Sequence, residues 1–125
     1  MGHNLVGWFE IPVIDMDRAK KFYETVFNIE IQVQDFAGTL MGFFPYDEKG
    51  AGATGSLIKH EAYQPSEKQG VLIYFSSKDV AEELSRIETS GGKVLQSKTQ
   101  ISEDVGFMGL FIDSEGNRIA LHSRK

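Results

Sequence analysis

The sequence contains no cysteine. Disulfide frameworks, thiolate nucleophiles and cysteine-ligated metal sites are therefore excluded, and the composition fits a reducing compartment. Nor is there an apolar run of the roughly 18 residues that a membrane-spanning helix needs. The opening "MGHNLVGWFEIP" has neither the basic start nor the long apolar stretch of a secretory signal. A cytoplasmic protein with no membrane partner is the expectation. Basic charge is also scarce. Thirteen Lys and Arg stand against eighteen Asp and Glu for a net charge of −5, and no basic cluster could follow a phosphate backbone. Nucleic acid is not an expected partner. Recognisable nucleophile and phosphate-loop motifs are missing too. "GATGS" lacks the strand-to-helix context of a phosphate loop and reads as a turn and strand, while "KKFYE" reads as the solvated face of a helix.

What is present points to one folded unit. A chain of 125 residues, 41% hydrophobic and 25% charged, is long enough for a real core and too short for two independent ones, so a single domain over 1–125 is expected. From Val6 to Val13 the side chains alternate, with Phe9, Ile11 and Val13 on one face and Trp8 and Glu10 on the other. Asp15 is placed to cap a helix whose apolar stripe is Met16, Ala19, Phe22, Tyr23, Val26 and Phe27, ending near Asn28. Three extended segments follow, "IEIQVQ", "TLMGFFPY" and "GATGSLIKH", separated by Gly- and Asp-rich turns. After the polar connector "EAYQPSEKQG" the pattern begins again. "VLIYFSS" is a strand and "KDVAEELSRIETSGG" a helix, capped by Ser77 or Asp79 and ended by Gly91 and Gly92; "KVLQ", "GFMGLFID" and "NRIALHS" are strands. The order is βαβββ twice, a repeat of roughly 60 residues with module 1 about 1–62 and module 2 about 69–125.

A paired βαβββ chain carrying "IPVIDMDRAKKFYETVF" in its first half and "FIDSEGNRIALHS" at its end resembles the vicinal oxygen chelate superfamily, which contains glyoxalase I, bleomycin resistance proteins and extradiol dioxygenases. The likeness covers almost the whole chain, and the loop "YQPSEKQG" before "VLIYFS" fits it. Each motif also has a local physical reason. The acidic residue caps the helix, and Gly116 in "DSEGN" is free to take a positive φ in a turn between antiparallel strands. The resemblance implies an α+β fold in which curled mixed sheets form a cup with the helices outside, and it implies a homodimer.

Metal-using members of that superfamily place one ligand on the first and one on the last strand of each module. By offset from the motifs, these positions are Trp8, Ser56 (or Gly55), Leu72 and Ala120. None is His, Glu or Gln, whereas a catalytic divalent metal takes about three such donors, so no metal or other cofactor is expected. Trp8 makes the cup apolar and suited to an aromatic ligand, with Met41, Phe43, Leu72 and Tyr74 either lining it or plugging it. Glu10, two residues beyond Trp8, and His122, two beyond Ala120, look into the same cup and form a candidate acid–base pair; Glu10 pairing with Arg118 is the simpler alternative. Tyr74 and Ser76 are placed to orient a ligand. His3 and His60 are peripheral. Three functions stay open: a metal-free binder of a small, partly aromatic molecule, a metal-dependent lyase, isomerase or dioxygenase of the glyoxalase type, and a metal-free enzyme using Glu10 and His122.

Overall fold

The computed structural model describes residues 4–125, so His3 lies outside the described residues. Ten elements follow in the order β1 (Phe9–Pro12), α1 (Met16–Phe27), β2 (Gln32–Phe36), β3 (Thr39–Phe43), β4 (Gly55–Lys59), β5 (Tyr74–Ser76), α2 (Val80–Ile87), β6 (Lys93–Ser102), β7 (Gly106–Ile112) and β8 (Arg118–Ser123). This is βαβββ twice. The strands form two separate four-stranded mixed sheets, ordered β1-β4-β3-β2 and β5-β8-β7-β6, rather than one continuous sheet. Each pairs its first strand in parallel with its last, β1 with β4 and β5 with β8, and the remaining neighbours are antiparallel.

The helices form where capping and periodicity agree. Asp15 accepts from the Arg18 N–H at 3.0 Å. Met16, Ala19, Phe22, Tyr23 and Val26 are buried, and Asn28 closes α1 in the left-handed region at φ 56°. Asp79 rather than Ser77 caps α2, accepting from Ala81 N–H at 3.0 Å. Ser77 Oγ instead accepts from the N–H of Asp79. Arg86 of α2 donates to the Val26 carbonyl of α1 at 2.9 Å, placing a cation at the negative end of that helix. Alternate residues of the sheets, Ile11 and Leu57 in one and Phe111, Ile119 and Leu121 in the other, join the buried helix residues in one core spanning both modules. Packed against it, half-buried Phe75 meets Phe9 edge-on at 5.7 Å and lies 4.7 Å from Phe27.

The two motifs that carry the family resemblance meet in space. Glu115, whose side chain is fully buried, accepts from the N–H groups of Ile14 and Asp15 at 2.9 and 2.8 Å and from Arg18 Nε at 2.7 Å. Asp113 accepts from the Tyr23 hydroxyl at 2.6 Å, and Asn117 donates to the Pro12 carbonyl at 2.7 Å. Gly116 takes φ 92° in this turn, as its place in "DSEGN" requires. The second module's last turn thus clamps the strand-to-helix junction of the first. Burial pushes the Asp113 carboxyl up, against its hydrogen bonds from Tyr23 and Asn117. Burial likewise pushes the Tyr23 phenol up, and the neighbouring Asp113 carboxylate adds to that. For Glu115 burial pushes upward but is outweighed by Arg18 and the two N–H donors, which hold its carboxyl below the ordinary range.

Several strands differ in extent from expectation. The segment "IEIQVQ" pairs only from Gln32 because Ile31 is buried and its N–H bonds the Glu24 carboxylate at 2.9 Å, tying that stretch to α1. Strand β6 runs ten residues where "KVLQ" suggested four, since its second half is a polar, exposed strand at the sheet edge with no apolar alternation to signal it. Strand β5 keeps three residues of "VLIYFSS".

Candidate functional site

Cross-strand partners share a face of a sheet. With Ile11 and Leu57 turned into the core, the opposite face of the first sheet carries the row Glu10, Ser56, Phe43 and Gln32, and beside it the row Pro12, Ile58, Met41 and Gln34. Trp8 precedes Glu10 on this face. It is 42% exposed, and its ring lies 6.1 Å from that of Phe43. Phe36, half exposed, meets Phe43 edge-on at 6.2 Å. The three rings form an aromatic shelf. Glu10 is the only charged side chain among the two rows and Trp8, and it makes no side-chain hydrogen bond or ion pair with the described residues.

Of the two residues placed at the end of module 1, Ser56 belongs to this face. Gly55 lies against Phe9, where an added Cβ would stand 2.2 Å from the Phe9 carbonyl oxygen. Ser56 is fully buried between Glu10 and Phe43, and its Oγ has no hydrogen-bond partner among the described residues. Sequence reasoning placed this serine but could not see the orphaned hydroxyl, which depends on its neighbours across three strands.

The corresponding face of the second sheet carries the rows Tyr74, Ala120, Leu110, Gln96 and Ser76, His122, Met108, Thr99. Tyr74 is 52% exposed, and Leu72, half buried, lies just before β5. His122 Nε2 lies 2.6 Å from the Val105 carbonyl oxygen, which can only accept, so this nitrogen carries the ring proton and Nδ1 is left as a base. Glu10 and His122 stand on different sheets. Among the described residues neither a hydrogen bond nor an ion pair joins them, or joins Glu10 to Arg118. His60 lies beyond β4 and is exposed, as its peripheral placing anticipated.

The four positions expected from the resemblance to match metal ligands offer one hydroxyl between them, from Ser56. Glu10 and His122 would add two donors if they met. No three His, Asp or Glu side chains come together among the described residues. The residues present therefore do not fit a divalent ion held by three or more nitrogen or carboxylate donors.

Comparison with known proteins places these features in a family. The model of the Glyoxalase/Bleomycin resistance protein/Dioxygenase superfamily matches residues 5–121. A glyoxylase-like domain-containing protein of Didymella fabae is 26% identical over 127 aligned positions, covering 98% of this chain and 95% of its own. Among solved structures, an antibiotic binding protein from Streptomyces sp. CB03234 is similar in fold, with TM-score 0.71, 22% identity and coverage of 100% of this chain and 99% of that one. A mutant glyoxalase I from Zea mays gives TM-score 0.72 at 17% identity, covering 94% of this chain. This chain spans only 46% of the maize enzyme's length. With its paired βαβββ modules and a family model matching nearly end to end, the chain belongs to the Glyoxalase/Bleomycin resistance protein/Dioxygenase superfamily.

Proposed function

We propose that this protein binds a small, partly aromatic molecule on the shelf of Trp8, Phe43 and Phe36 without using a metal. The observation that carries the reading is the composition of that face: the partly exposed rings of Trp8 and Phe36 on either side of half-buried Phe43, next to a buried hydroxyl with no partner among the described residues. Planar rings stack on such a shelf, and Ser56 and Glu10 would accept hydrogen bonds from a ligand's polar edge. The fold-level likeness to an antibiotic binding protein of the same size supports a binding role. Leu72, Tyr74, Ala120 and His122 on the second sheet would supply the opposite wall.

The two sheets are separate, and no strand of one pairs with a strand of the other. A second copy that set the second sheet of one chain over the first sheet of its partner would enclose both sites, so we propose a homodimer, acting in the cytoplasm. Thermal-shift screening of planar aromatic compounds, followed by titration of the positive ones against Trp8 emission, tests the binding reading. Stabilisation by aromatic compounds that carry no carboxylate, with no change at Trp8, would refute it.

One observation favours a second reading. Among the described residues nothing bonds His122 Nδ1 or the Glu10 side chain, so an acid–base pair would form if the dimer brought the two together. That arrangement would support a metal-free isomerase or lyase. Metal analysis of protein purified without chelators distinguishes both readings from a metal-dependent lyase, isomerase or dioxygenase, which predicts one tightly held Zn, Ni, Fe or Mn per site.

A further inference from the structure

At the opposite ends of β1 and β4 from Trp8 and Ser56 lies a cleft of about 780 Å³ that the family comparison does not assign. Along β1 about 15 Å, at roughly 3.3 Å per residue, separates it from Trp8, while Phe36 at the far end of the shelf adjoins Ala37 and Gly38 on its rim. Its floor is apolar: Val13 is buried, Leu40 half buried and Ile14 61% exposed. Its wall is the turn after β4, where His60 and Tyr63 meet edge to face at 6.0 Å.

That wall is held in shape. Tyr63 N–H donates to the His60 carbonyl at 3.0 Å, and Ala62 N–H donates to His60 Nδ1 at 3.0 Å. Farther along, Ser66 N–H donates to the Asn117 side chain at 3.2 Å, fastening the loop to the clamp between the modules. Because Nδ1 accepts a hydrogen bond, the neutral ring keeps its proton on Nε2, which is left as a donor. Lys59 adds a second donor and a positive charge, and it makes no ion pair with the described residues. Glu61 is the single carboxylate lining the cleft. Asp35, near its rim, is occupied by the Gly38 N–H at 2.8 Å.

We infer that this cleft is a second ligand site, for a small carboxylic acid with an apolar body. The body would lie on Val13, Ile14 and Leu40 against the Tyr63 ring, and the carboxylate would take hydrogen bonds from Lys59 and His60 Nε2. The large apolar side chains left exposed at Ile14 and Tyr63 are the surface such a body would cover.

Amide chemical-shift titration with 3-phenylpropanoate, its neutral amide and 2-phenylethylamine tests the assignment. The acid should give saturable shifts at Gly38, His60 and Tyr63 while the Trp8 indole stays still, which separates this site from the Trp8 end of the aromatic shelf. Lys59→Met should weaken the acid roughly fivefold, as expected for one exposed charge contact, and leave thermal stability unchanged. His60→Gln should weaken it as well. The inference is overturned by absence of saturable shifts at millimolar acid, by shifts centred on Trp8, or by the amine binding as well as the acid.

Discussion

Burying a hydroxyl without a partner costs about 1–3 kcal/mol, and Ser56 is such a group at the centre of the proposed site. Ser56→Ala should therefore leave stability unchanged or raise it by up to about 1 kcal/mol, measured by urea denaturation, while weakening any ligand that bonds to Oγ. A fall in stability would mean that the hydroxyl already has a partner. Trp8 behaves in the opposite way. Being 42% exposed, it should cost about 1–2 kcal/mol on truncation to Ala, below the roughly 3–5 kcal/mol of a fully packed aromatic, yet remove most aromatic-ligand binding. That Trp8 lies on the same side of the sheet as Glu10 was legible from strand alternation. What alternation could not reveal was that Phe36 completes the shelf, because its strand was expected to end at Gln34 and register across a hairpin is set by the turn.

Among the elements, the turn between β7 and β8 has the widest reach. The sequence indicated a turn with Gly116, but not that Asp113, Glu115 and Asn117 would be buried on the other module, since that depends on contacts about 100 residues away in the chain. Glu115→Gln should cost about 2–4 kcal/mol, because it leaves Arg18 unpaired and turns an amide against two backbone donors. The pH dependence has a definite sign. Glu115 is held below its ordinary 4.5, so its stabilisation is present above that pH and is lost as pH falls through the lowered folded-state value. Asp113 is raised above its ordinary 3.8 and acts in reverse, favouring the folded state at low pH and losing that advantage as pH rises through the raised value. Acid denaturation should thus begin at higher pH in Asp113→Asn and show a flatter acid limb in Glu115→Gln than in wild type. At the alkaline end Tyr23, raised well above 10.0, keeps its full contribution below pH 10.0 and loses it above, so Tyr23→Phe should remove part of the alkaline loss. Identical acid limbs in all variants would place the acid-sensitive groups elsewhere. Helix α1 was legible almost to the residue because caps and a 3.6-residue period coincide; α2 was legible at its Asp79 cap but ends at Ile87, short of the expected stop at Gly91 and Gly92; β6 was not legible, since an exposed edge strand needs no apolar pattern.

For the whole molecule, the repeat was legible in the order of its elements and the two sheets followed from the resemblance, whereas the single core joining the modules was not legible, because it depends on packing between distant segments. The separate sheets lead to the expectation of a dimer, and sedimentation at twice the chain mass would support it; a monomer at micromolar concentration would remove the enclosed site. A ligand at 100 times its dissociation constant should then raise stability by about 2.7 kcal/mol. The most direct test of metal-free aromatic binding is Trp8 emission, since Trp8 is the single tryptophan of the chain. Metal-free protein titrated with the carboxylate-free aromatic compounds that stabilise it should show saturable quenching or a spectral shift, with the same midpoint as the stabilisation. Emission that stays constant through every such titration, or that responds only after a divalent metal is added, would contradict the account.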